Sequence, residues 1–103
     1  MATPNRLGVS FAANTPVNVV VGGTNGGTYH VNFVNTSTSM VTVSLATSTV
    51  TGTLQANGML LSSETLAAGK SLFYGPIILE NSEFVVAESS AVDVVCVGQG
   101  MDK

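Results

Sequence analysis

The chain has 103 residues, of which 45% are hydrophobic and only 9% charged, with a formal net charge of −3. Its cations are Arg6, Lys70 and Lys103 alone, too few to supply the phosphate contacts that dominate nucleic-acid affinity, so DNA and RNA are not expected partners. No apolar run approaches the roughly 20 residues of a membrane-spanning helix, so no membrane partner is expected either, and a chain of this size supports a single core.

Charge is also unevenly placed. Between Arg6 and Glu64 there is no Asp, Glu, Lys or Arg. An ordinary globular domain carries roughly a quarter of its residues as charges. The gap is filled by Val, Thr, Ser, Asn and Gly, which favour strands and tight turns. Strands without charges lack a usual defence against edge-to-edge association, which predicts surfaces meant to be covered by other subunits.

The first six residues, Met1 to Arg6, hold Pro4 and no alternating pattern, and are expected to form an extended arm lying on a neighbour, with Pro4 and Arg6 as contacts. They also lack the apolar stretch of a secretory leader, so the expected place of synthesis and residence is the producer's cytosol. From Leu7 the alternation of apolar and polar residues predicts strands: Leu7 to Phe11, Val17 to Val21, Tyr29 to Val34 and Val41 to Leu45. The glycine-rich Gly22 to Gly27 segment, with Asn25 near its tip, reads as a mobile hairpin turn. Thr47 to Thr53 is a strand end with a turn at Gly52, and Asn57-Gly58 is a strong turn dipeptide.

Met59 to Leu66 is ambiguous, because Ser63 to Ala68 could form one helical turn closed by Gly69. If Met59-Leu60-Leu61 is extended, three large apolar residues point to both faces and one face must meet something besides the core. Lys70 to Tyr74, a turn at Gly75-Pro76, Ile77 to Leu79, Phe84 to Glu88 and Val92 to Val97 complete the chain. The reading is all-β: an antiparallel β-sandwich, jelly-roll-like or immunoglobulin-like, of seven to nine short strands over residues 7 to 100, followed by a tail at residues 101 to 103.

Few groups could carry chemistry. His30 falls opposite Val31 and Phe33 in the alternation and reads as a solvent or interface residue. Cys96, the sole cysteine, sits in an apolar strand with no local cation to activate it and cannot form an intramolecular disulfide. Glu64, Glu80, Glu83 and Glu88 flank turns or strand ends, where charge serves solubility. The Gly22 to Gly27 segment has neither the Lys nor the following helix of a phosphate loop. No metal, cofactor or catalytic residue is assigned. Trp is absent, leaving Tyr74 and Tyr29 as the rings that could stack on a sugar. The expected functional residues are thus interface residues: Pro4, Arg6, Asn25, Tyr29, Met59, Leu60, Leu61 and Tyr74.

The C-terminal half contains Leu66-Ala67-Ala68-Gly69-Lys70-Ser71-Leu72, then Gly75-Pro76-Ile77-Ile78-Leu79, an acidic turn at Glu80-Asn81-Ser82-Glu83, and a final valine-rich strand, Ala91 to Gly98. Over residues 57 to 100 this resembles a pattern in small β-sandwich structural proteins of tailed bacteriophages. The resemblance implies a non-enzymatic virion component: a capsid decoration (cement) protein forming homo-oligomers, trimers in many such proteins, on the major capsid protein. The alternative is a tail, neck or fibre module that binds host glycans.

Overall fold

The structure is a computed structural model and describes residues 3–103. The chain forms eight strands: β1 (Thr3–Ser10), β2 (Val17–Val21), β3 (Gly27–Asn35), β4 (Val41–Ser48), β5 (Met59–Leu66), β6 (Ser71–Leu79), β7 (Phe84–Ser89) and β8 (Val94–Asp102), with a single 3-10 turn at Ala56–Gly58. They make two four-stranded antiparallel sheets, ordered β1-β8-β3-β6 and β2-β7-β4-β5, here called sheets A and B.

The pairing is nested: β1 with β8, β2 with β7, β3 with β6 and β4 with β5. The chain is therefore one long antiparallel ribbon whose tip is the β4–β5 connection, rolled up so that β3 also pairs β8 and β4 also pairs β7. Only the β4–β5 link stays within one sheet. An immunoglobulin sandwich keeps several hairpins within a sheet, whereas this rolled ribbon of eight strands is a jelly roll. The all-β sandwich expected from alternation is observed, and the topology that alternation leaves open is fixed by the pairing.

The inward residues of both sheets form one core that includes Val19, Tyr29, Val31, Phe33, Leu45, Val85 and Cys96. Phe11 stacks on Phe33 with ring centroids 6.1 Å apart. Burial of each such side chain is worth about 1.5–3 kcal/mol before entropy is counted. Asn35 is fully buried and satisfied: its amide nitrogen donates to the carbonyls of Ser39 at 2.8 Å and Leu66 at 3.1 Å, and its Oδ1 accepts from the Ser37 amide at 3.0 Å. One side chain thus ties the β3–β4 turn to the end of β5.

Several expected boundaries change. Residues 3 to 6 of the expected arm belong to β1 and pair residues 99 to 102 of β8, while Met1 and Ala2 lie outside the described residues. Pro4 disguised this strand, but an edge strand tolerates proline. The expected tail at residues 101 to 103 is likewise ordered: Met101 and Asp102 pair both β1 and β3, and the Lys103 amide donates to the Gly26 carbonyl at 2.9 Å. The helical turn considered for Ser63 to Ala68 is not formed; β5 runs to Leu66, and the turn that follows has Gly69 at φ +71°. Gly75-Pro76, joined by a cis bond, is a bulge within β6 rather than a turn between two strands. Tyr29 faces Ile77 and Val31 faces Tyr74, so His30 lies opposite both Gly75 and Pro76.

That bulge belongs to a wider pattern at the four sheet edges. β6 carries the bulge and a proline, β5 has two register shifts and Ser63 at φ +49°, and β2 has a shift at Asn18/Val20. β1 has an unbroken register but carries Pro4 near its start and is bound to β2 by the Asn5 amide, which donates to the Val21 carbonyl at 2.8 Å. Bulges and prolines interrupt the row of free backbone groups on which another strand would template. The edges are thus blunted by backbone devices instead of charge, and the charge-poor surface left for association is a sheet face.

Candidate assembly surface

The two outer faces differ. On sheet B, Ala46 and Val86 point away from the core yet are fully buried, and Ser48 is nearly so. The β4–β5 connection folds back over this side. Asn18 of β2 holds it, donating to Thr51 Oγ1 at 2.7 Å and accepting from the Gly52 amide at 2.9 Å. Gln55 Oε1 accepts from the Thr49 amide at 2.9 Å and closes the segment on itself. Sheet B is therefore covered in part by its own chain.

Sheet A has no such cover among the described residues. Because side chains alternate across a strand, the register places four rows on its outer face. Pro4, Met101, Thr28 and Ile78 form one row, and Arg6, Gln99 and His30 the next, ending at the Gly75-Pro76 bulge. Gly8, Val97, Asn32 and Phe73 follow, then Ser10, Val95, Val34 and Ser71. Within the four strands of this sheet the charged residues are Arg6 and Asp102, and Asp102 turns inward. The apolar members are well exposed, Ile78 at 75%, Phe73 at 61% and Met101 at 45% of their full area.

Met101 stands as a ridge between two shallow hollows. One is lined by Thr28, Ile78, Leu79, Asp102 and Lys103 and the other by Pro4, Asn5, Arg6 and Gln99. At the centre, the His30 and Phe73 rings lie 5.1 Å apart, tilted by 41°, and Gln99 Nε2 is 2.9 Å from His30 Nε2. A large, nearly uncharged, apolar sheet face of this kind is the usual mark of a protein interface.

The expected interface residues fall in different places. Pro4 and Arg6 are exposed on this face, through β1 and not through an arm. Asn25 is exposed in the turn after β2, whose glycines are tied down: Gly22 donates to the Glu83 carbonyl at 2.9 Å and Gly26 to the Gly23 carbonyl at 2.9 Å, so the expected mobile tip is a fastened turn. Met59 is partly exposed at the start of edge strand β5, while Leu60, Leu61 and Tyr74 pack against the core. Tyr29 is fully buried, which removes it as a contact or a sugar platform. Its hydroxyl donates to Asp102 Oδ1 and accepts from the Gly23 amide at 3.3 Å.

The Asp102 carboxylate is held below the usual range, chiefly by the Asn5 amide 2.9 Å away and then by Tyr29, and burial pushes the Tyr29 phenol up. This cluster fastens β1, β3, β8 and the glycine turn at one end of the sandwich. The sequence reading did not single out Phe73, Ile78, Met101 and Val95, which are exposed on this face. The available signal was the apolar doublets Ile77-Ile78 and Val94-Val95, whose first members are buried and whose second members are exposed.

The described residues bring no metal-binding cluster together. No three of His, Cys, Asp and Glu come together among them, and Cys96 is buried with its thiol pushed up to about 12 by desolvation.

No protein-family model matches the sequence, and neither does any curated protein. Among solved structures, the fold is similar to a chain of "Bacillus endospore appendages form a novel family of disulfide-linked pili", at 16% identity and a TM-score of 0.50, covering 99% of this chain and 89% of that one. It is also matched to a chain of "Structure of infectious bursal disease virus Gx strain", at 9% identity and a TM-score of 0.39, covering 96% of this chain and 35% of that one. At these identities the first likeness concerns the fold, and the second is too weak to argue from. Fold and surface together define a small jelly-roll domain with one sheet face open.

Proposed function

We propose that the protein is a non-catalytic structural subunit of a viral particle, a capsid decoration protein whose copies associate through the outer face of sheet A. The observation that carries this reading is that face: apolar, nearly free of charge and uncovered, on a fold whose edges are blocked. Four strands spaced by about 4.8 Å and rising about 3.4 Å per residue give it roughly 600 Å² in projection, close to the ~800 Å² that each partner brings to a standard interface.

A second copy is the occupant that charge favours. The one carboxylate at this face, Asp102, borders a hollow at its end, where it is bonded to Asn5 and Tyr29, and Lys103 lines the same hollow, so face-to-face packing of two copies leaves no unpartnered acid in the contact. The Met101 ridge and its flanking hollows supply complementary relief. Repetition over a shell then adds avidity to each modest contact. The resemblance of residues 57 to 100 to phage structural proteins supports the place in a virion. Disulfide linkage, named for the pilus chain, would need an accessible thiol, and Cys96 is buried.

The test is the copy number per purified particle, measured by quantitative mass spectrometry against the major capsid protein. Hundreds of copies in simple ratio to the capsid protein are expected. Absence from particles would refute the virion reading, and a few copies would move the protein to the tail or fibres.

A further inference from the structure

We propose that self-association through sheet A is acid-labile, with His30 as the group that releases it. This rests on the reading of that face as the contact between copies. Histidine changes charge within the range from pH 5 to pH 8. His30 is the chain's one histidine and occupies the second row of the open face, on the inner strand β3 between β8 and the edge strand β6.

The groups that face it are few. From β8, the Gln99 amide nitrogen lies 2.9 Å from His30 Nε2, and Arg6 of β1 continues the row beyond Gln99. From β6, Phe73 presents its ring at 5.1 Å, and the Gly75-Pro76 bulge lies opposite. No carboxylate faces it. A neutral imidazole accepts the Gln99 proton at Nε2, whereas a protonated ring carries a proton on both nitrogens and cannot. That hydrogen bond is therefore lost on protonation unless the amide turns over.

The base of the side chain is also closely packed. A β-carbon built on Gly75 would lie 2.5 Å from His30 Cβ, so the β6 backbone already closes against the side chain. Protonated His30 would join Arg6 to make two positive charges in one row without an acid to pair them. Packing two copies would then bring four such charges into one desolvated layer, where sheets lie about 10 Å apart and like charges repel with little screening.

Sedimentation velocity over a concentration series, with the full chain at pH 8 and pH 5, tests this. Wild type is expected to associate at pH 8 and to do so at least about tenfold more weakly at pH 5. His30→Gln, checked for folding by circular dichroism, should associate equally at both values. Equal association of wild type at both pH values, or a pH dependence that survives His30→Gln, would overturn the inference. If association at pH 8 is present and weakened by Phe73→Ser, the surface reading stands regardless of that outcome. A wild type that is monomeric at both values would overturn the surface and the acid release together.

Discussion

Replacing Gly98 by alanine tests the jelly-roll packing at its tightest point. Gly98 lies in β8, pairs Leu7 on one side and Val31 on the other, and is buried between the sheets. A β-carbon there would sit 1.9 Å from the Val19 carbonyl oxygen and 2.6 Å from Val20 Cγ2. The first of these is backbone and cannot rotate away. Reaching ordinary contact requires β2 and β8 to separate by roughly 1.5 Å, and a gap of 0.5–1 Å already forfeits about a quarter to a half of each dispersion contact it opens.

Overpacking costs about 1–3 kcal/mol in general, and a rigid carbonyl puts this site at the upper end. For a domain of this size about 3 kcal/mol lowers Tm by roughly 12–24 °C. Gly8 is the matched control: it lies on the neighbouring strand, faces outward, has nothing within 4 Å of a built β-carbon, and is not among the residues of positive φ. Gly8→Ala should shift Tm by no more than about 4 °C. Thermal unfolding followed by circular dichroism or calorimetry reads both. A Gly98→Ala protein as stable as wild type, or a Gly8→Ala protein as damaged as Gly98→Ala, would refute the assignment of inner and outer faces.

The Tyr29–Asp102 contact should give stability a limit at each end of the pH scale. Asp102 has a lowered folded-state value, so its contribution is present above the ordinary carboxylate range and is lost as pH falls through that lowered value. Tyr29 is raised, so its contribution is full below the ordinary phenol value and is lost as pH rises through the raised one. Tm measured from pH 8 to pH 12 should fall less steeply in Tyr29→Phe than in wild type, and parallel slopes would contradict the assignment. Cys96 should resist a thiol reagent in the native state and react on denaturation, because its buried thiol is pushed up to about 12; prompt labelling of native protein would place it at the surface. Asn18→Ala removes both side-chain bonds to the β4–β5 connection and should make that segment the first cut by limited proteolysis, without moving the rest of the pattern.

Much of the fold was legible because period-two alternation survives wherever one face is buried. Val31 and Phe33 were read as one apolar side, and both are in the core. The misreadings fall where backbone devices break that period. In β6 the inward residues are Leu72 and Tyr74, then Ile77 and Leu79, so the parity slips by one at the bulge. The sequence reading ended the strand at Gly75-Pro76 and took Tyr74 as the exposed ring, whereas the strand continues through the bulge with Tyr74 packed against the core and Phe73 and Ile78 outward. In β1, Pro4 and Asn5 hide a strand made favourable by pairing with β8 and by the bonds of Asn5, which link residues 16 and 97 positions apart.

The open face was legible only as a deficit of charge. Which residues compose it depends on the order β1-β8-β3-β6, in which no two neighbours are consecutive in the chain. Tyr29 shows the reverse error. A tyrosine beside a polar, glycine-rich turn suggests exposure, yet it is buried because Asp102, 73 residues away, satisfies its hydroxyl.

The central claim is that copies of this chain meet through the outer face of sheet A, and the most direct measurement is sedimentation equilibrium of wild type beside a Phe73→Ser/Ile78→Ser variant at pH 8. The account predicts a wild type heavier than a monomer and a variant that is monomeric with an unchanged far-ultraviolet spectrum. A wild type that stays monomeric at high concentration, or a folded variant that associates as wild type does, would contradict it.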